Sequence, residues 1–452
     1  MNCRLASAAA AALLIVVPAQ AQVHTHAPGP DATHQGHGRM SMVDFGGGWM
    51  ALGMAQVFPA VTFAFPGEDN TPLDEVGVYL TQPALMFNVE APQSRVVLRT
   101  TINLEGVTQP NGELTFGGWG EGFLDKRHPH TYLHELMLSF NISGDEHKGW
   151  SVSAGKGFTP FGTDDPMMRP VMKYPTNHHL SQILERWTLS TAWTGSRWSV
   201  EAGLFGGNEP TSPTDLSNIE SFGNSFSARV THRVGAGMMG AWPWEVAASF
   251  GRVKEEHDTE STTTNLYNVA IRHEQDHGDV HAYGLIEASI SKPDHGDGYF
   301  SILAEGSLQR GRHKPYGRVE FATRPEYARN GVPGTEEFFR YDHDQHAIGS
   351  TRWLIASAGY GLTVSTLPFG MRPFVEAQFN TVARDSGPVT PAELYRRTSF
   401  WNLSAGFRVF LGGDPMRMGA YGVLDPMTMM HRMQMAGAMP APAKPSGSTH
   451  GH

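Results

Sequence analysis

Residues 401–411 read Trp-Asn-Leu-Ser-Ala-Gly-Phe-Arg-Val-Phe-Leu, and their alternation decides the fold. Trp401, Leu403, Ala405, Phe407, Val409 and Leu411 fall on one face. Asn402, Ser404, Gly406 and Arg408 fall on the other, joined by Phe410 as the one apolar exception. Successive side chains of a strand point to opposite faces, so this stretch has one greasy side and one polar side. The pattern recurs working outward. Val96, Leu98, Thr100, Ile102 and Leu104 oppose Arg95, Val97, Arg99, Thr101, Asn103 and Glu105. Trp187, Leu189, Trp193, Trp198, Val200, Ala202 and Leu204 oppose Arg186, Thr188, Ser190, Arg197, Ser199 and Glu201. Lys156 breaks the apolar face of 150–158, which marks a bulge or a strand end.

A half-buried strand of a soluble sandwich alternates too, and three features separate the cases. The segments run to roughly 11–15 residues, where soluble strands average about 5–6. Arginines recur on the polar face in mid-strand. Aromatics gather near strand ends, at Trp150, Trp193, Trp198, Trp244, Trp353 and Trp401. Interfacial aromatics around a polar interior define a transmembrane β-barrel, and lipid forces the sheet to close because it satisfies no backbone polar group. The fold expected is all-β, a closed antiparallel transmembrane barrel of about 16 strands, with a Met/His-rich C-terminal tail. Connections alternate in length. Short ones fall at 91–93, 144–148, 196 and 367–370, and long ones at 108–129, 161–183, 208–223, 327–349 and 385–397. Two, 256–261 and 294–297, are short where long ones are expected. An even strand count puts both termini on the side of the short turns.

The composition agrees. The chain has 452 residues, a net charge of -10 and only 17% charged residues, which excludes a basic nucleic-acid binder. A content of 40% hydrophobic residues argues against general disorder. The one long apolar run is N-terminal, and no Gly-rich phosphate loop follows a strand. Residues 1–21 read as a secretory signal peptide: Arg4, an apolar stretch, then Ala19-Gln20-Ala21 as the cleavage site. Beyond them come a His-rich leader at 22–46, the barrel at 47–412 and a Met/His-rich tail at 413–452, both ends assigned to the periplasm.

Over residues 45–412 the chain resembles the porins of Gram-negative outer membranes. Ser404-Ala405-Gly406-Phe407-Arg408-Val409-Phe410-Leu411 is similar to the terminal-strand signal read by the barrel-assembly machinery, although porins end there and this chain continues for about 40 residues. The resemblance implies a water-filled pore for passive diffusion of small polar or charged solutes, no enzymatic activity and no required cofactor. It also implies a third external loop folded inward as a constriction. Outer-membrane lipid, the assembly machinery and small solutes or metal ions are the partners expected, and a homo-oligomer stays open.

By that count the third external loop is 161–183, and Asp164, Asp165, Arg169, Lys173, His178 and His179 are the constriction candidates. The wall facing it would offer Arg95, Arg99, Glu105, Arg186, Arg229, Arg318, Glu320, Arg372, Glu376 and Arg408. Such charges set pore size and field, here an acidic loop opposite an arginine ladder. The alternative is a surface loop, since Asp164-Asp165-Pro166 is a turn signal by itself.

The tail holds eight of the chain's 21 methionines, far above its share. Thioethers suit copper(I) and imidazoles suit copper(II) or zinc, so His24, His26, Met427, Met430 and His431 are candidate metal ligands, copper first. Asp425-Pro426 opens a short helix with Met427, Met430 and His431 on one face. Equally, a Met-rich helix is flexible filler that plugs or packs on the barrel. His273-Glu274-Gln275-Asp276-His277 matches the zinc-protease spacing, but it ends a strand pattern, where the one-face geometry of a helix is lost. Beside the passive porin, two readings stand: a non-conducting metal-binding barrel, and a barrel enzyme such as a lipase or protease, for which no serine-nucleophile motif is present.

Overall fold

The computed structural model describes residues 41–65, 76–108, 131–143, 148–163, 165–172, 178–210, 212–235, 243–256, 261–327, 347–366, 369–388, 398–412 and 417–429. One antiparallel sheet contains all the strands of the described residues, and it closes on itself. Two of its 18 segments, Ser41–Gly46 and Val364–Thr366, only extend their neighbours, which leaves a barrel of 16 strands. In chain order β1 to β8 are Trp49–Phe65, Val76–Glu90, Val96–Asn103, Leu133–Ser143, Gly149–Gly157, Arg186–Thr194, Trp198–Phe205 and Ser225–Val234. β9 to β16 are Trp244–Glu256, Ser261–His277, Val280–Pro293, Tyr299–Arg310, His313–Tyr327, Ala347–Leu362, Phe369–Ser386 and Ser399–Leu411. Each pairs with the next, and β16 returns to β1 through Leu411–Ala55 to Trp401–Phe65.

The alternation sorts residues between lipid and lumen. On β16, Trp401, Leu403 and Phe407 are exposed on the outer wall, while Asn402, Ser404 and Arg408 are buried inside. Phe410 keeps register and also points inward, its ring edge-on to Phe58 at 5.4 Å. An apolar residue is tolerated there because the interior is packed at that height. Girdles form at both rims. Trp150 faces Trp193, Trp198 stacks on His232 at 4.0 Å and Trp244 on His273 at 4.3 Å, all at the short-turn end. Phe379 and Trp401 meet at 4.8 Å at the other. Trp353 does not belong to a girdle. It is fully buried inside the barrel, donating to Thr351 Oγ1 at 2.9 Å under the Arg324 guanidinium, because its register with Thr351 and Ile355 turns it inward.

Lys156 faces inward one residue before the end of β5, where the alternation breaks at Gly155 without a shift in register to either neighbour. Gly155 sits at φ +149°, and a Cβ there would lie 1.9 Å from the Leu136 carbonyl oxygen, so only glycine fits. The zinc-protease-like motif lies on β10. His273 and His277 share the outer face, with ring centroids 6.2 Å apart because the side chains lean together, and Glu274 lies on the opposite face, bound to Arg272 and His281. At the N-terminal end, Ser41–Gly46 turns back through Gly47 and Gly48 to pair with the start of β1, so part of the leader joins the sheet.

Candidate functional site

The barrel interior is occupied by two segments. The first is the connection 158–185 between β5 and β6, which crosses the lumen. Gly162 N–H donates to Ser249 on β9 at 2.9 Å, and Thr163 and Arg169 bind Glu287 on β11 at 2.7 and 3.1 Å. Arg408 on β16 donates to the Arg169 and Pro170 carbonyls at 3.0 and 2.8 Å. Met172 N–H reaches Glu376 on β15 at 2.9 Å. The two ends of the connection are held by a buried network. His134 Nδ1 meets Glu185 Oε1 at 2.6 Å, Thr131 also donates to Glu185, and Lys156 donates to Thr131 and to the Leu133 carbonyl.

The second segment is 417–429. Expected in a tail beneath the barrel, it instead lies inside, against the inner faces of β1 to β9. Arg99 Nη1 donates to Asp425 Oδ2 at 2.8 Å, Arg229 to the Gly419 carbonyl at 2.9 Å and Arg417 to Glu245 at 2.7 Å. The Tyr421 hydroxyl donates to Glu135 at 2.8 Å and accepts from Phe158 N–H at 3.0 Å, which links the two segments. Asp425 Oδ1 accepts the backbone N–H groups of Met427 and Thr428, capping the turn that follows. Burial raises the pKa of the Asp425 carboxyl above its ordinary value, opposed by Arg99; burial and Glu135 together raise that of the Tyr421 phenol. A buried segment dense in polar groups stays put only when each is paired, and these pairings meet that demand.

Between the segments and β7 to β10 lies a cavity of ≈260 Å³ whose charged lining is Glu201, Arg229, Arg233, Glu245, Arg272 and Arg417. Arg229 grips Glu201 through two nitrogens, at 2.6 and 2.8 Å. Glu245 serves three guanidiniums at once, those of Arg417, Arg233 and Arg272. Four guanidiniums and two carboxylates line the cavity, and Glu274 adds a third carboxylate on Arg272.

The constriction candidates divide. Asp165 and Arg169 are buried within the lumen. His178 and His179 open a short helix, His178–Ser181, while Asp164 and Lys173 lie outside the described residues. The charge arrangement is not an acidic loop against an arginine ladder. Asp165 lies 3.9 Å from His134, Arg169 of the loop meets wall glutamates, and wall arginines hold loop carbonyls or wall carboxylates, because charges removed from water need local partners. Of the wall candidates, Arg99, Arg186, Arg229, Arg318, Glu320, Arg372, Glu376 and Arg408 are buried on the inner face. Arg318 pairs with Glu305 and Glu320, Arg186 with Glu209, and Arg372 reaches Thr363. Glu105 is buried just past β3, accepting from Gln82 N–H at 2.9 Å. Arg95 does not line the interior. It is exposed in the turn before β3, since the strand starts at Val96. Met427 is buried, and His24, His26, Met430 and His431 lie outside the described residues. Glu245, Arg233, Arg272 and Arg417 were not singled out from sequence. The first three sit on the polar face of alternating strands, whereas nothing local to Arg417 announces a lumenal position.

This is the architecture of a closed antiparallel β-barrel of 16 strands with two inward segments. No family model matches the chain and no curated protein matches it. Among solved structures it is similar to OmpT of Vibrio cholerae, at 10% identity and TM-score 0.46, over 80% of this chain and 98% of that one. It is similar to the anion-selective porin from Comamonas acidovorans, at 11% identity and TM-score 0.44, over 80% and 99%. The high-pH structure of Pseudomonas putida OprB gives 10% identity and TM-score 0.47, over 80% and 94%.

Proposed function

We propose that the protein is a diffusion channel for small polar solutes across the bacterial outer membrane, with both termini on the periplasmic side. The observation that carries this is the charged chamber beside loop 158–185 and segment 417–429. A lumen narrowed by inward segments and lined by fixed charge selects by size and sign. The guanidinium excess at Glu201, Arg229, Arg233, Glu245, Arg272 and Arg417 favours anions. Reconstitution in planar bilayers tests it: a reversal potential of the anion-selective sign in a potassium chloride gradient is expected. Cation selectivity would reassign the chamber, and no conductance would remove the channel reading. A metal-handling role for the Met/His-rich ends is a second reading, supported by the clustering of thioethers described next.

A further inference from the structure

We propose that Met54, Met86 and Met427 form a thioether site for a soft monovalent cation, copper(I) by chemical class, between the barrel wall and the C-terminal segment. Met54 on β1 and Met86 on β2 are direct cross-strand partners on the inner face. Met427 comes from the segment lying against them, and the three line one cavity of ≈10 Å³. That is the size that holds a single water molecule or ion, by the rule of about 10–15 Å³. Met137 and Met418 belong to the same buried cluster, next to the cavity's thioether side, while Asn88, Arg99 and Arg417 line the rest. Soft, neutral sulfur donors prefer copper(I) over the hard cations that abound outside cells.

A cluster of methionines alone is apolar filler. The neighbouring Asn88 argues otherwise. It lines the same cavity, is more than nine-tenths buried, and neither its amide oxygen nor its amide nitrogen has a hydrogen-bond partner. A buried amide without a partner costs about 1–3 kcal/mol, so an occupant of the cavity is called for. A cation held by the three thioethers takes a lone pair from the amide oxygen. The two arginines lining the cavity do not repel it outright, because Arg99 is held by Asp425 and Glu135 and Arg417 by Glu245. The site stands apart from the channel reading, since a barrel that conducts nothing could hold it. It also differs from a site carried by the tail alone, since two of its three donors belong to the wall.

The test uses the full-length protein refolded in detergent and titrated with copper(I) against a competing copper(I) chelator, with circular dichroism and heat-dependent gel mobility reporting the folded barrel. One ion per chain is expected to be retained. The double variant Met54→Leu/Met86→Leu conserves volume and leaves the barrel folded, and it should weaken retention at least about ten-fold. If that variant does not fold, Met427→Leu, outside the sheet, should show the same loss. Met430→Leu/His431→Ala should leave retention unchanged. No retention by the parent chain, or loss only in the Met430/His431 variant, overturns the proposal.

Discussion

Arg99 and Asp425 are joined by a 2.8 Å hydrogen-bonded ion pair across 326 residues of sequence, and this pair fastens the C-terminal segment to the inner wall. Asp425→Asn keeps the shape and removes the charge. Docking of 417–429 should weaken by about 1.5–3 kcal/mol, the value of a hydrogen bond to a charged group. Thiol labelling of a Thr428→Cys reporter, buried in the parent structure, should accelerate by about ten-fold or more in the variant. Unchanged labelling would show that Tyr421 and Arg417 suffice to hold the segment.

Loop 158–185 is fastened at Glu287, Glu376 and Arg408. Deleting Thr163–Thr176 removes those contacts and should raise single-channel conductance in a barrel that still folds. Arg169→Ala, which removes the bridges to Glu287 and Glu305 but leaves Thr163 on Glu287, should raise it less. Equal conductance in parent and deletion would mean that the loop does not limit passage.

Val319 is exposed at the middle of β13, between the inward Arg318 and Glu320. Val319→Arg places a guanidinium in the lipid band and should cost about 2–4 kcal/mol. Urea titration of folding into lipid vesicles reads the change. A neutral result would move that face out of the bilayer.

Gly155→Ala forces a side chain onto the Leu136 carbonyl at a backbone angle that favours glycine. The expected loss exceeds about 1 kcal/mol. It should appear in the same titration, together with faster proteolysis of the loop whose ends Lys156 and Glu185 anchor. Wild-type behaviour would show that the backbone at Gly155 can shift.

The strand positions were legible from sequence because period-two alternation is local: neighbours such as Leu403 and Ser404 reveal their faces with no knowledge of partners. The contents of the lumen were not. Arg408 holds the carbonyl of Arg169 from 239 residues away, and no spacing rule connects them. Trp353 was placed in a girdle because an aromatic near a strand end looks alike on either face; its shared parity with Thr351 carried the correction. The tail's methionine excess is visible as composition, but the place of 417–429 inside the barrel depends on Arg99, Glu135, Arg229 and Glu245, which come from four different strands.

The strand ladders run from Ser41 to Leu411 and require nothing after it. Segment 417–429 leans on inner surfaces contributed by β1 to β9. The dependence runs one way: a chain cut after Leu411 keeps every ladder pairing and loses only what fills its lumen, so the width of the passage is set by residues that the wall does not need.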